Sequence, residues 1–125
     1  MKLFILMLCL AGLTGAPPAL GQPQDLLKLG QEVYENNCAD CHRRNGEGLP
    51  VKFPALKGNS LVLGDAGPLL HTILQGRKGK WGLMPAWAEH LNDQEIAGVA
   101  AYIRSAWGNQ APPVTPAEAA AARIK

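Results

Sequence analysis

The sequence predicts a small all-α domain in which three main helices are joined by long loops. Apolar residues recur at helical spacing in three stretches, whereas the strict alternation typical of strands is scarce. The segments between these stretches are rich in glycine and proline, which interrupt regular structure. A chain of 125 residues is long enough for one small domain.

The first helix is predicted to begin at Asp25, which can cap it, and to run to about Asn37. Its apolar face includes Gly30, Val33 and Tyr34. Because a glycine costs a helix roughly 1 kcal/mol relative to alanine, Gly30 indicates that another element packs closely there.

A short second helix is predicted between two loops, 43–59 and 77–91. It begins at Gly67-Pro68 and ends before Gly76. Proline is favoured at the first position of a helix and glycine just beyond its last.

The final helix is predicted to begin at Asn92 and to end at Gly108. Asn92 and Glu95 have the spacing of a capping box, in which each side chain bonds to the backbone of the other. The inner face of this helix comprises Ile96, Val99, Ala100, Ile103 and Trp107.

Residues 1–21 are predicted to be a secretory signal peptide. Lys2 precedes an apolar run, Leu3 to Leu13, followed by small residues and prolines, and the best cleavage position is after Gly21. The run is shorter than the ~20 apolar residues of a membrane-spanning helix, so we expect no span in the mature protein. An uncleaved anchor is the alternative. Cleavage would also remove Cys9.

The mature chain is predicted to consist of a domain, 22–108, and a tail, 109–125. The tail is rich in proline and alanine, and we expect it to be poorly ordered, with at most a loose helical turn or two over Pro116 to Arg123. Of the twelve lysines and arginines only Lys2 falls in the signal, so eleven balance ten acidic residues. This balance argues against a nucleic-acid partner, which requires a concentrated basic face.

The stretch Cys38-Ala39-Asp40-Cys41-His42 allows three interpretations. A thioredoxin-like dithiol would require a βαβ setting, which is missing from the pattern. A structural zinc site would require a second close pair of ligands, which the sequence lacks at the usual spacing. Cys-x-x-Cys-His is the attachment signature of c-type haem, in which two thiols form thioethers and the histidine binds iron. This third interpretation fits best.

A haem iron held by one histidine needs a sixth ligand, and Met84 is the best candidate. It is the only methionine after residue 21, and it lies in a loop within Gly82-Leu83-Met84-Pro85. Pro85 restricts Met84 to extended backbone, and a thioether ligand raises the reduction potential. The competing candidates are His71 and His90, although ordinary apolar packing would also account for Met84.

Over residues 25–108 the chain resembles a class I cytochrome c, which implies a small cytochrome c fold wrapped around one haem. Gly30 and Tyr34 resemble the glycine and aromatic pair of the first helix of that family. The family implies that the last helix crosses closely at Gly30, with Tyr102 as the aromatic partner.

The resemblance also extends to the loop after the haem motif. Pro54, twelve residues after His42, resembles the proline whose carbonyl accepts a hydrogen bond from the imidazole. Leu56 resembles the leucine that packs on the haem, and Gly46-x-Gly48 agrees with the tight turn of the family. Asn59 resembles a polar residue placed near the haem propionates.

The sequence around Met84 resembles the haem-binding subunits of bacterial dehydrogenases and small bacterial electron carriers. The resemblance implies an electron-transfer protein rather than an enzyme. It would carry one covalently attached haem c in the periplasm, between a dehydrogenase-type donor and a downstream cytochrome or terminal oxidase. The basic run Arg77, Lys78 and Lys80 would either bind an acidic partner or be solvated surface.

Two alternative functions remain open. One is a catalytic or gas-sensing haem protein whose sixth ligand is displaceable, and the other is a thiol-disulfide oxidoreductase that uses Cys38 and Cys41.

Overall fold

The computed structural model describes residues 15, 23–80 and 82–124, and the predicted signal peptide falls almost entirely outside them. Six helices and one two-stranded hairpin make up the described part of the chain. They are, in order, α1 Pro23–Asn37, α2 Ala39–His42, α3 Ser60–Leu63, α4 Ala66–Gln75, β1 Arg77–Lys78, β2 Leu83–Met84, α5 Asp93–Ser105 and α6 Pro116–Ile124.

Helices α1 and α5 cross so closely that their backbones touch. A Cβ atom added at Gly30 would lie 1.9 Å from the carbonyl oxygen of Gly98, so neither neighbour leaves room for a side chain. Beside the crossing, the rings of Tyr34 and Tyr102 lie 5.4 Å apart. The predicted role of Gly30 and the predicted aromatic pair are both confirmed.

The start of α5 follows the prediction, whereas its end does not. The Asn92 side chain accepts from the Glu95 amide, and the Glu95 carboxylate accepts from the Asn92 amide, which completes the capping box. The helix ends at Ser105 rather than at Gly108. Trp107 has a φ of +57°, outside helical geometry, and its ring turns back to lie 5.1 Å from that of Tyr34.

Helix α4 ends as predicted, with Gly76 directly after its last residue. It begins at Ala66, with Asp65 at the N-cap, rather than at the predicted Gly67-Pro68. The following loop contains the short hairpin, in which Arg77 pairs with Met84. The helix α3 was not predicted. Asn59 caps it by accepting from the amides of Leu61 and Val62.

The C-terminal segment is not the poorly ordered tail that its composition predicts, and the helical turns expected over Pro116 to Arg123 are present as α6. Thr115 and Glu118 bond to each other's backbone amides at the start of α6. Val114 is only 1% exposed, and Ala119 is fully buried in the same core cluster as α4 and α5. The small alanine side chains let α6 approach its neighbours closely, which composition alone does not reveal.

No helix in the described ranges is both long and apolar enough to cross a bilayer.

Candidate haem site

The helical turn α2 arranges the three residues of the attachment motif. Cys38 stands at its N-cap and continues from α1, since its amide donates to the Tyr34 carbonyl at 2.8 Å. The His42 amide donates to the Cys38 carbonyl at 3.0 Å, so the motif closes one turn. Both cysteines are free and partly buried. Cys41 and His42 follow Cys38 by three and four residues, the spacings at which side chains are neighbours on a helical turn.

His42 is held in one orientation by a distant carbonyl. Its Nδ1 lies 2.9 Å from the Pro54 oxygen, and the ring is only 8% exposed. Because a carbonyl can only accept, Nδ1 must carry the proton, which leaves the Nε2 lone pair available to a metal. Such bonding to the outer nitrogen is typical of metal-binding histidines. The predicted hydrogen bond is confirmed, and this imidazole fits a haem iron.

Two glycines bend the chain so that Pro54 reaches His42. The Gly48 amide donates to the His42 carbonyl at 2.9 Å, and the Gly46 carbonyl accepts from the Leu56 amide at 2.8 Å. Both glycines have positive φ, and a Cβ at Gly48 would lie 2.4 Å from the Phe53 oxygen. The tight turn predicted at Gly46-x-Gly48 is therefore present, and it brings Leu56 beside the core.

Asn109, which falls in the predicted tail, binds the loop that follows the haem motif. Its side-chain oxygen accepts from the Gly58 amide at 2.9 Å. Its side-chain nitrogen donates to the carbonyls of Leu56 and Ile103. Asn109 is buried, and the loop residues lie 51 and 53 positions earlier. No local pattern could have revealed this role.

Met84, the predicted sixth ligand, lies at the end of the hairpin strand β2. It is partly buried and packs against the same core cluster as Cys38 and Leu56. The segment after it is anchored to the end of α4, since the amides of Trp87 and Ala88 donate to the carbonyls of Ile73 and Leu74 at 3.1 and 3.2 Å. These bonds satisfy carbonyls that a helix end leaves unpaired, and they fix the segment that carries Met84.

The other candidate ligands and contacts lie at the surface or are otherwise engaged. His71 and His90 are both exposed. The Asn59 side chain caps α3 and also donates to the Ala55 carbonyl, which accounts for it without a propionate. Arg77, Lys78 and Lys80 are exposed, as a docking or a solvated surface would be.

The first thiol of the motif lies in surroundings that disfavour its thiolate form. Burial, and secondarily the neighbouring Cys41, raises the pKa of the Cys38 thiol to about 12. A redox-active cysteine instead has a lowered pKa, because the thiolate is the nucleophile. Burial likewise raises the pKa of Tyr34, whose hydroxyl donates to the Arg43 carbonyl at 2.7 Å.

A short helical turn carrying two unpaired thiols, followed by an oriented and buried imidazole in an otherwise helical domain, defines the c-type cytochrome class. Residues 25–103 match the family described as cytochrome C oxidase, cbb3-type, subunit III, and the chain belongs to that family.

Several characterised proteins are similar to this chain. The cytochrome c subunit of the quinone-dependent alcohol dehydrogenase of Gluconobacter oxydans is 37% identical over 91 residues, 66% of this chain and 19% of that subunit. The cbb3-type oxidase subunit CcoP of Azospirillum brasilense is 39% identical over 87 residues, 65% of this chain and 28% of that subunit. The chain thus spans less than a third of either relative.

Two smaller proteins are also similar. Cytochrome c-552 of Thermus thermophilus is 36% identical over 92 residues, which cover 64% of this chain and 69% of that protein. The crystal structure of the c-type cytochrome XoxG from Methylobacterium extorquens AM1 superposes with a TM-score of 0.55 at 21% identity, over 79% of this chain and 66% of that one. This likeness supports the fold.

The protein is therefore a monohaem c-type cytochrome of the electron-transport class, with one covalently attached haem c. The predicted family, the helical cytochrome c fold and the cofactor are confirmed.

Proposed function

We propose that this cytochrome is a periplasmic carrier of single electrons whose iron is held by His42 and Met84. Cys38 and Cys41 supply the thioether bonds, Pro54 orients the His42 ring, and Leu56 packs on the macrocycle. When bound, the haem supplies a one-electron couple between Fe(III) and Fe(II). It is this chain's residues that set the potential of that couple and limit the rearrangement accompanying it.

The hydrogen bond between His42 Nδ1 and the Pro54 oxygen carries the proposal. It fixes the tautomer, leaves the other nitrogen as the free lone pair, and makes the imidazole a better electron donor. A ligand held this firmly needs little motion when the iron changes charge. That property suits electron transfer better than chemistry on a substrate.

Met84 suits the sixth position because its sulfur is a soft donor with no proton to lose. Methionine opposite histidine favours Fe(II) and so raises the potential. The partial burial of Met84 against the core supports this role, as does the anchoring of the next residues to α4. The exposed positions of His71 and His90 favour neither as a ligand.

The proposed donor is a dehydrogenase, and the proposed acceptor is another cytochrome or a terminal oxidase. Several relatives are cytochrome subunits of alcohol and gluconate dehydrogenases, and others are oxidase subunits. The pattern of residues 1–21 is the basis for export to the periplasm. Exposed Arg77 and Lys78 would favour an acidic partner surface.

The proposal is tested by producing the protein together with a c-type haem maturation system. We expect haem to stay attached after denaturation, and to be lost in a Cys38→Ala, Cys41→Ala double variant. The Fe(III) protein should also show the weak far-red band of a methionine-ligated iron. Absence of covalent haem would refute the whole proposal.

The two alternative functions have distinct signatures in the same preparation. Carbon monoxide binding to the reduced protein at neutral pH, together with a missing far-red band, would indicate a displaceable sixth ligand. Reduction of insulin by a colourless protein would indicate a thiol-disulfide oxidoreductase.

A further inference from the structure

The C-terminal helix α6 carries an arginine that grips the segment following Met84. The Arg123 guanidinium donates to the Ala88 carbonyl at 2.6 Å and also to the Leu91 carbonyl. Its Nε donates to the Asp93 carboxylate at the start of α5. One side chain thus ties the end of α6 to residues 88 and 91 and to the first residue of α5.

The gripped segment, residues 87–91, follows Met84, which itself pairs with Arg77 in the hairpin. On one side, Trp87 and Ala88 are bonded to the last turn of α4. Within the turn, the amides of His90 and Leu91 donate to the Trp87 carbonyl, each at 3.0 Å. Arg123 adds bonds from the opposite side, so residues 87–91 are held between α4 and α6.

We propose that Arg123 is a positioning residue that keeps Met84 at the iron by preventing residues 85–91 from opening. The proposal rests on the proposed ligation by Met84. A planar guanidinium presents five donors from three nitrogens in a fixed fork, which suits two carbonyls and a carboxylate, whereas lysine donates from a single nitrogen and an apolar residue not at all. Arg123 lies beyond residues 25–103, which match the family.

Arg123 would act by limiting the local opening of residues 85–91. A methionine ligand leaves iron only when its segment moves, and segments held by few contacts open far more often than the whole protein unfolds. Removing the Arg123 bonds should raise the frequency of that opening. The contacts between α1 and α5 at Gly30 and Gly98 do not involve this side chain, so the crossing of these helices should be less affected.

The first measurement is the rate at which added imidazole binds the Fe(III) protein. In this exchange the iron–sulfur bond breaks and an iron–nitrogen bond forms, with no change in the charge of iron. We expect Arg123→Met to raise the rate at least about tenfold, the factor that corresponds to the loss of even one of its three hydrogen bonds. Arg123→Lys should give an intermediate rate, and Asp93→Asn a smaller increase, because both carbonyl contacts remain.

The second measurement is amide hydrogen exchange, which needs no exogenous ligand. We expect Arg123→Met to accelerate exchange in residues 87–91 while leaving α1 unchanged.

Arg104 provides the matched control. It is a buried arginine that donates to the carbonyls of Val62, Gly64 and Pro112, none of them in the gripped turn. Arg104→Lys should lower the thermal midpoint without raising the rate of imidazole binding. Lys28→Met controls for loss of one exposed positive charge.

The proposal is overturned if Arg123→Met leaves imidazole binding and exchange at the wild-type values, or if Arg104→Lys accelerates both equally. A different set of results is expected if Met84 is not a ligand of the iron. The wild-type protein would then lack the far-red band, whereas hydrogen exchange would still report whether Arg123 holds residues 87–91.

Discussion

At the scale of single residues, the site depends on what surrounds each donor atom. His42 follows the two cysteines in sequence, but the proton on its Nδ1 is fixed by Pro54, twelve residues later. Met84 is an apolar side chain packed against the core, so packing and ligation both account for its burial. A substitution that preserves volume separates these two roles.

Met84→Leu should remove the far-red band and lower the reduction potential by more than ~59 mV, the tenfold step of a one-electron couple. Leucine nearly conserves the apolar volume, so stability should fall by less than about 1.5 kcal/mol. Potentiometric titration and chemical denaturation measure the two effects. His71→Gln and His90→Gln should leave the potential unchanged. An unaltered potential in Met84→Leu would exclude Met84 as a ligand.

At the scale of elements, the crossing of α1 and α5 determines where the attachment motif lies. The motif continues directly from the end of α1, and α5 supplies Tyr102 and the start of the turn that places Trp107. The backbone contact at Gly30 and Gly98 sets the distance between the two helices. A side chain at either position would push them apart and shift Cys38 with them.

Gly30→Ala should lower the free energy of unfolding by more than about 2 kcal/mol, because its Cβ would lie 1.9 Å from the Gly98 oxygen. Gly67→Ala is the matched control, since Gly67 lies in α4 and its Cβ would meet no atom within 4 Å. That change should stabilise by up to about 1 kcal/mol. Denaturation with guanidinium chloride measures the free energy of unfolding of both variants. Equal effects of the two substitutions would mean that α1 and α5 do not need a glycine at position 30.

At the scale of the whole molecule, the C-terminal residues hold together loops that are distant in sequence. Asn109 bonds to the loop at Leu56 and Gly58, Arg104 bonds to Val62 and Gly64, and Arg123 bonds to Ala88 and Leu91. Burial of Val114 and Ala119 seats α6 on the core. Because a domain this small has limited apolar surface to bury, these additional contacts contribute substantially to its stability.

Removal of residues 113–125 should therefore lower the free energy of unfolding by at least about 2 kcal/mol, the contribution of fully burying one side chain such as Val114. Chemical denaturation followed by far-UV circular dichroism measures this decrease in the free energy of unfolding. Ile124→Ala serves as the control, because Ile124 is 89% exposed and should contribute little. An unchanged midpoint after truncation would mean that α6 does not stabilise the domain.

The features that could be predicted from sequence are those encoded by neighbouring residues. The capping box at Asn92 and Glu95, the end of α4 at Gly76 and the Cys-x-x-Cys-His turn depend on groups at most a few positions apart. The hydrogen bond from His42 to Pro54 spans twelve residues and was predicted through family resemblance. The fold class followed from helical periodicity, because a buried face must recur at the helical period.

Tertiary structure decided the features whose partners are far apart in the chain. Arg123 bonds to residues 30 to 35 positions away, and Asn109 bonds to loop residues 51 and 53 positions away. A long polar side chain acquires such partners only after the helices have packed, so its residue type does not reveal them beforehand. For the same reason the alanine and proline content of residues 109–125 predicts a tail, although part of this segment forms a packed helix. The sequence by itself determined that this chain attaches a haem; the packing of α4, α5 and α6 decided how the segment that follows Met84 is held.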